Sequence, residues 1–303
     1  MLNLSNIFCL VGGGKCPKYA PNKLLLWDDE SAKEVKEIRL KSNVKNAKIK
    51  KKAIFVVCEN EITIISTDTF TIIEAILTNE NSAGACAISH DPELYIFAWP
   101  GQEKGSIQIK DYDDDEREKK TIKAHENTIE ILEITYKGDL VATASDKGTI
   151  IRIFNISDGT PVSEVRRGTE KAEIFSIAFD IEGNYLGVTS DRGTAHLFVI
   201  EKNKDKKKEN DDEKQKKIKN TTSIFGGVSK MIGLSKFFRS EWSFAQIKFS
   251  QGMKAICAIL NNVNSFIIVT YKGRYVEGQF DVNQKKKNSM ECKIKLDTSL
   301  ISL

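Results

Sequence analysis

The chain has 303 residues, 40% hydrophobic and 29% charged, with a net charge of +4. This composition excludes a chain too polar to fold, and so small a net charge excludes bulk attraction to nucleic acid as the basis of function. Six cysteines at 9, 16, 58, 86, 257 and 292 form no Cys-x-x-Cys pair, and only three histidines are present, so neither a zinc site nor any other metal or cofactor is expected, and scattered thiols suit a reducing cytosol.

From the N-terminus, Phe8–Val11 and Leu24–Trp27 predict two strands around a Gly/Pro loop. Gly12-Gly13-Gly14-Lys15 is the beginning of a phosphate-loop pattern, but Cys16 stands where a serine or threonine would hold magnesium, and no helical periodicity follows. A loop between strands is expected there. Residues 36–76 give a further unit with strands at Ile54–Cys58 and Ile62–Ile65, and residues 85–110 another. The carboxylate run from Asp111 to Glu116 lacks the glycine and the spaced ligands of a calcium loop, so it predicts a solvated turn.

The next two units are near copies. Gly138–Thr149 and Gly183–Thr194 align at an offset of 45, with identical pairs Ser145/Ser190, Asp146/Asp191, Gly148/Gly193 and Thr149/Thr194. Each is apolar alternation, a turn, an apolar strand, an Asp-x-Gly turn and another alternating strand. Fainter copies of the turn recur near Glu61, Gly105 and Gly273. A period of about 40–45 residues with four short strands per unit marks a β-propeller. The step from Gly193 to Gly273 is too long for one unit, and predicts an insertion from Glu201 to about Glu241.

The first half of that insertion, Lys202 to Lys219, is almost wholly charged and is expected to be flexible. The second half, 221–239, is apolar. On a helix, Ile224, Phe225, Val228, Met231, Ile232, Leu234 and Phe238 fall on one broad arc with Lys230 and Lys236 outside it. With Phe237 they form a candidate membrane-contact set, apolar face down and lysines towards anionic lipid. No apolar run approaches the roughly 20 residues that span a bilayer, and no signal-peptide pattern opens the chain, so membrane attachment is expected to be peripheral.

Between the two close copies lies Val165-Arg166-Arg167-Gly168. Neighbouring side chains on a strand point in opposite directions, so Arg166 and Arg167 can serve pockets on different units. Arginine grips phosphate through a planar fork of donors that keeps its charge.

With this motif, the chain resembles the PROPPIN family of seven-bladed, WD-repeat-like β-propellers that bind phosphoinositides. The family has Phe or Leu where this chain has Val165. Further matching stretches are Gly12–Lys23 with Trp27-Asp28-Asp29, Ala124-His125-Glu126, Ala142–Thr149, Ser190–His196 and Trp242-Ser243-Phe244, in order along almost the whole chain. The likeness is to the shorter members. It implies an all-β, single propeller domain over 1–303, interrupted by the loop at 201–241. In the family a complete first blade and the opening strand of the second precede the Gly-Gly-Gly-Lys stretch; here only Met1 to Ile7 do. About six units are therefore expected, through truncation, closure on fewer blades, or an open ring.

The resemblance further implies two headgroup sites. The first would combine Arg166 with His125, Ser145, Thr149 and Arg152, the second Arg167 with Ser190, Thr194, His196 and Arg192. Each offers an arginine fork, two hydroxyls and an imidazole, which is dense donation suited to a phosphomonoester. An imidazole beside phosphate would have its charged form favoured. The implied ligands are phosphatidylinositol 3-phosphate and phosphatidylinositol 3,5-bisphosphate. The implied role is non-catalytic: a cytoplasmic monomer held peripherally at the phagophore assembly site and on endosomal or vacuolar membranes. There it would recruit a bridge-like lipid-transfer autophagy protein or other autophagy factors. The alternative is a protein-binding WD-repeat scaffold without lipid binding.

Overall fold

The computed structural model describes residues 6–114, 118–200, 240–260, 264–280 and 290–293. Every regular element among them is a strand, and the strands form six sheets. The chain divides into two compact units, Met1–Glu130 and Ile131–Leu303. The candidate insertion residues Ile224, Phe225, Val228, Met231, Ile232, Leu234, Phe237 and Phe238 lie outside the described residues.

The first unit holds three sheets. One contains β1 (Ile7–Val11), β2 (Lys23–Asp28) and β3 (Lys33–Arg39). The next is a meander of β4 (Val44–Ile49), β5 (Ala53–Cys58), β6 (Glu61–Ser66) and β7 (Ile72–Leu77). The third runs through β8 (Ala87–Ile88), β9 (Ile96–Pro100), β10 (Ser106–Asp111) and β11 (Lys120–Lys123). β5 shows why its sequence is apolar without alternation. Ile54 and Val56 pack with Leu24 and Leu26 of β2, whereas Phe55 and Val57 pack with Phe97 and Trp99 of β9. A strand buried on both faces has no polar side to show. The ring of Phe55 stacks on Phe97 at 4.5 Å, and Phe97 stacks on Trp99 at 5.4 Å.

The second unit carries the repeat. β12 (Ile129–Ile134), β13 (Leu140–Ser145), β14 (Ile150–Asn155) and β15 (Pro161–Arg166) make one sheet, here called the arginine sheet. β16 (Ile174–Phe179), β17 (Tyr185–Ser190) and β18 (Thr194–Val199) begin the second. After the insertion the chain returns at β19 (Glu241–Trp242) and β20 (Ala245–Lys248). β20 completes the second sheet beside β18, but β19 joins the arginine sheet, parallel to β15, with Val165 opposite Glu241 and Arg166 opposite Trp242. β21 (Ala255–Leu260), β22 (Ser265–Thr270), β23 (Tyr275–Phe280) and β24 (Met290–Lys293) form the last sheet.

Two dry seams hold this unit together. Ala142, Ala144, Ile151, Ile153 and Val165 of the arginine sheet meet Leu186, Val188, Phe198 and Ile200 of the second. On its other face the second sheet sets Ala195, Leu197 and Ile247 against Ala255, Cys257 and Phe266 of the last. Each fully buried aliphatic side chain contributes roughly 1.5–3 kcal/mol through removal from water. Gly187 brings the sheets close, since a Cβ there would lie 2.6 Å from the Phe266 ring.

The turns repeat as the sequence does. Gly138 donates to Thr135 O and Gly183 to Asp180 O, both at 3.0 Å, and both glycines have φ +67°. Gly148 (φ +58°) and Gly193 (φ +68°) close the next turns onto Ser145 O and Ser190 O. At Gly148 a Cβ would stand 1.9 Å from Ala172 O, whereas at Gly252 (φ +73°) nothing lies within 4 Å. Gly252→Ala should therefore cost only the left-handed backbone term, about 1–2 kcal/mol. Gly148→Ala adds a clash with backbone and should cost about 3 kcal/mol or more. Urea denaturation of both variants checks this ordering.

Candidate functional site

The register of the arginine sheet places the site. Arg166 pairs with Ile150, Glu164 with Arg152, and Arg152 with Thr143. Residues opposite each other share a face, and residues two apart along a strand share it too. Ser145, Arg152, Glu164 and Arg166 therefore lie on one face. Val165 lies on the other, inside the seam with the second sheet. Arg167 is one residue past the strand, on the Val165 side, and its amide donates to Thr149 O at 3.0 Å.

Across that seam, Val188 pairs with His196, and Thr189 with Ala195. Ser190, Thr194 and His196 thus continue the face whose apolar members, Leu186, Val188 and Phe198, fill the seam. Ser190, Thr194 and His196 therefore sit on one face at the end of that seam. The charge of Arg167 reaches His196 and disfavours its protonation.

Both guanidiniums are buried, at 4% exposure for Arg166 and 5% for Arg167. Arg166 Nε donates to Ser240 Oγ at 2.8 Å. Arg167 Nε donates to Gly148 O at 2.9 Å, and its Nη2 donates to Glu170 O. Burial lowers the pKa of each, and for Arg167 the neighbouring Arg192 charge acts in the same direction. An arginine stays charged under such a push, and the Asp191 and Glu170 carboxylates act on Arg167 in the opposite direction. Arg167 makes no ion pair among the described residues; its hydrogen-bond acceptors are uncharged backbone carbonyls.

His196 is 6% exposed, with Nδ1 3.1 Å from Ser243 Oγ. Burial, then the Arg167 charge, pulls its pKa down to about 4. The expectation of a favoured imidazolium belongs to a phosphate-bound site; in the unliganded protein the ring is neutral. Ser190 is fully buried, and its Oγ has no hydrogen-bond partner among the described residues. An orphaned buried hydroxyl costs about 1–3 kcal/mol, which a ligand oxygen would offset. Arg192 is exposed at the lip, where it donates to Lys171 O at 2.6 Å and meets Glu170 Oε2 at 3.4 Å.

The first set is distributed differently. Ser145 and Arg166 share their face with Arg152, whose Nε is 2.8 Å from the Glu164 carboxylate. The one-residue-longer connection from β13 to β14 gives Arg152 the register place that His196 has on β18, opposite Thr143 and Val188 respectively. It also leaves Thr149 in the turn, whereas Thr194 is in a strand paired with Lys248. These identical residues are therefore not structurally equivalent. His125 belongs to the first unit, where it is 6% exposed and its amide donates to Gly105 O at 2.8 Å.

Ser240 and Ser243 are absent from the sets expected from sequence. The only signal near them is Trp242-Ser243-Phe244, which carries family likeness but no assigned role. They reach the site because β19 returns beside β15, a long-range pairing that local periodicity does not encode.

A family model described as PROPPIN matches residues 16–293. The chain belongs to the PROPPIN family. This PROPPIN is 32% identical over 282 residues to Autophagy-related protein 18e of Arabidopsis thaliana, a match covering 93% of the chain and 71% of that relative. Its structure is similar to Kluyveromyces lactis Hsv2, with a TM-score of 0.72 at 24% identity, covering 97% of this chain and 84% of that one. It is also similar to KlAtg21 in complex with the coiled-coil of AgAtg16, with a TM-score of 0.70 at 17% identity, covering 98% and 83%. The six sheets are β-propeller blade units, and the relatives connect this PROPPIN with autophagy.

A buried neutral His196 has a consequence for stability. The unfolded chain takes up a proton near the usual histidine pKa of about 6.5, while the folded chain resists until about 4. In that window the unfolded state binds more protons, so stability is full above about pH 6.5 and falls as pH is lowered. The loss from pH 7 to 4.5 should be about 2 kcal/mol greater in the native chain than in His196→Gln. Denaturation at both pH values tests it, with the imidazole NMR titration midpoint expected at about 4.

Proposed function

We propose that this PROPPIN is a non-catalytic phosphoinositide effector that holds two phosphorylated headgroups at once, one with Arg166 and one with Arg167. The observation that carries the reading is the second set. Among the described residues it combines a buried guanidinium without an ion pair, a buried hydroxyl without a hydrogen bond, and a neutral imidazole. Each of the three would gain a partner from a phosphate monoester, and the gain is largest where the groups are already desolvated and fixed.

The proposed ligands are phosphatidylinositol 3-phosphate and phosphatidylinositol 3,5-bisphosphate. Ser145 and Arg166, with Thr149 and Arg152, are proposed for the first headgroup. Ser190, Thr194, His196 and Arg167, with Arg192 at the lip, are proposed for the second. Two headgroups on one membrane act as linked contacts at high effective concentration, so weak sites sum to firm attachment. The apolar segment 221–239 is proposed as a further contact with the same membrane.

Once attached, the protein would bring autophagy machinery to the membrane. KlAtg21 has been captured with the coiled-coil of AgAtg16, and a coiled-coil autophagy factor or a bridge-like lipid-transfer protein is the proposed partner class here. The expected locations are the phagophore assembly site and endosomal or vacuolar membranes, reached from the cytoplasm by a monomer.

Arg166→Ala/Arg167→Ala should abolish sedimentation with vesicles containing phosphatidylinositol 3-phosphate, while each single variant should lose about 10- to 100-fold in affinity, the worth of one charge-assisted contact. Circular dichroism should show the fold retained. Equal binding by the double variant would leave the scaffold reading, in which the protein binds other proteins and no lipid.

A further inference from the structure

The loops at one end of the second unit form an unbroken hydrogen-bonded row. Ala172 N donates to Lys147 O at 3.1 Å, and Asp191 N to Glu173 O at 3.0 Å. Gly252 N then donates to Asp191 O at 2.7 Å, and Tyr271 N to Lys254 O at 3.0 Å. The Asp-x-Gly turns beside the arginine pair therefore continue, edge to edge, into a third turn, Tyr271-Lys272-Gly273-Arg274.

This third turn occupies the repeat position with different chemistry. Gly148, Gly193 and Gly273 all have positive φ. Two residues before them stand Asp146, Asp191 and Tyr271. The carboxylate of the first two turns is replaced by an aromatic ring, and Lys272 and Arg274 flank the glycine. Tyr271 is 68% exposed and Ile256 62%, the two most exposed large apolar side chains among the described residues of this unit. With Phe175 and Val269 they border a cleft of about 380 Å³ between β16 and the β21–β22 pair, which Lys254 and Glu173 also line. Lys254 Nζ sits 6.0 Å from the Phe175 ring, and Lys272 Nζ 5.8 Å from the Tyr271 ring.

We infer that this third seam end is a separate membrane contact, resting an exposed tyrosine and isoleucine in the interface of an anionic lipid surface. The inference rests on the headgroup reading only for which edge faces the membrane. Tyrosine suits the interface because its ring is apolar and its hydroxyl wet. Lysine and arginine beside it add attraction to anionic lipid, at roughly a few-fold in affinity for each charge near the surface. Tyr271 lies on the same loop row as the arginine pair and Ile256 is the second residue of the strand that leaves it, which favours a flat lipid surface over a peptide buried in the cleft.

The test separates this contact from the headgroup sites. The full chain is assayed against phosphatidylcholine–phosphatidylserine vesicles with and without phosphatidylinositol 3-phosphate, and against soluble inositol 1,3-bisphosphate. Tyr271→Ala/Ile256→Ser and, separately, Lys272→Glu/Arg274→Glu should each weaken vesicle binding about tenfold and leave soluble headgroup affinity unchanged. Arg166→Ala/Arg167→Ala should abolish the soluble headgroup binding. Undiminished vesicle binding by both patch variants overturns the inference and leaves the cleft to a protein partner. Equal loss of vesicle and soluble-headgroup binding also overturns it, by making the patch part of a headgroup site. Should the native chain bind no soluble headgroup, the headgroup reading fails, and the patch is still judged on the phosphatidylserine vesicles alone.

Discussion

The two proposed headgroup sites depend on a one-residue step at the end of β15. Side chains on a strand alternate, so the carbonyl–amide spacing between Arg166 and Arg167 sends one guanidinium to each face of the arginine sheet. One face carries Ser145 and Arg152. The other closes a seam against the second sheet and ends at Ser190, Thr194 and His196. The two adjacent buried arginines find different partners, Arg166 the Ser240 hydroxyl and Arg167 the backbone carbonyls of Gly148 and Glu170. Burial disfavours the charged form of each arginine, and burial together with the Arg167 charge holds the His196 ring neutral.

The repeat supplies the scaffold, and its irregularities supply the differences between the two sets. A single extra residue in the connection from β13 to β14 exchanges the register places of a histidine and an arginine. Arg152 then stands where His196 stands, already paired with Glu164. The insertion adds another irregularity. Its return strand β19 is captured by the arginine sheet before β20 rejoins its own, and this brings Ser240 onto Arg166 and Ser243 onto His196. The chain therefore returns to the described structure beside Arg166.

The fold was legible from the chain alone, because its signals are local. Apolar alternation of period two, positive-φ glycines at Gly138, Gly148, Gly183 and Gly193, and the 45-residue offset all act over a few residues. They gave the strands, the turns and six blade units. The arginine pair was legible for the same reason, since strand alternation alone predicts opposed directions. The burial of Arg166 and Arg167, the orphaned hydroxyl of Ser190 and the roles of Ser240 and Ser243 were not.

By itself, then, the sequence determined the β-propeller class and the repeat, and it singled out the residues proposed to grip phosphate. The tertiary structure alone decided which of them meet. Register between distant strands, such as β19 with β15 across the insertion, is set by the packing of whole sheets, and that packing also sets the desolvation that bears on Arg167 and keeps His196 neutral.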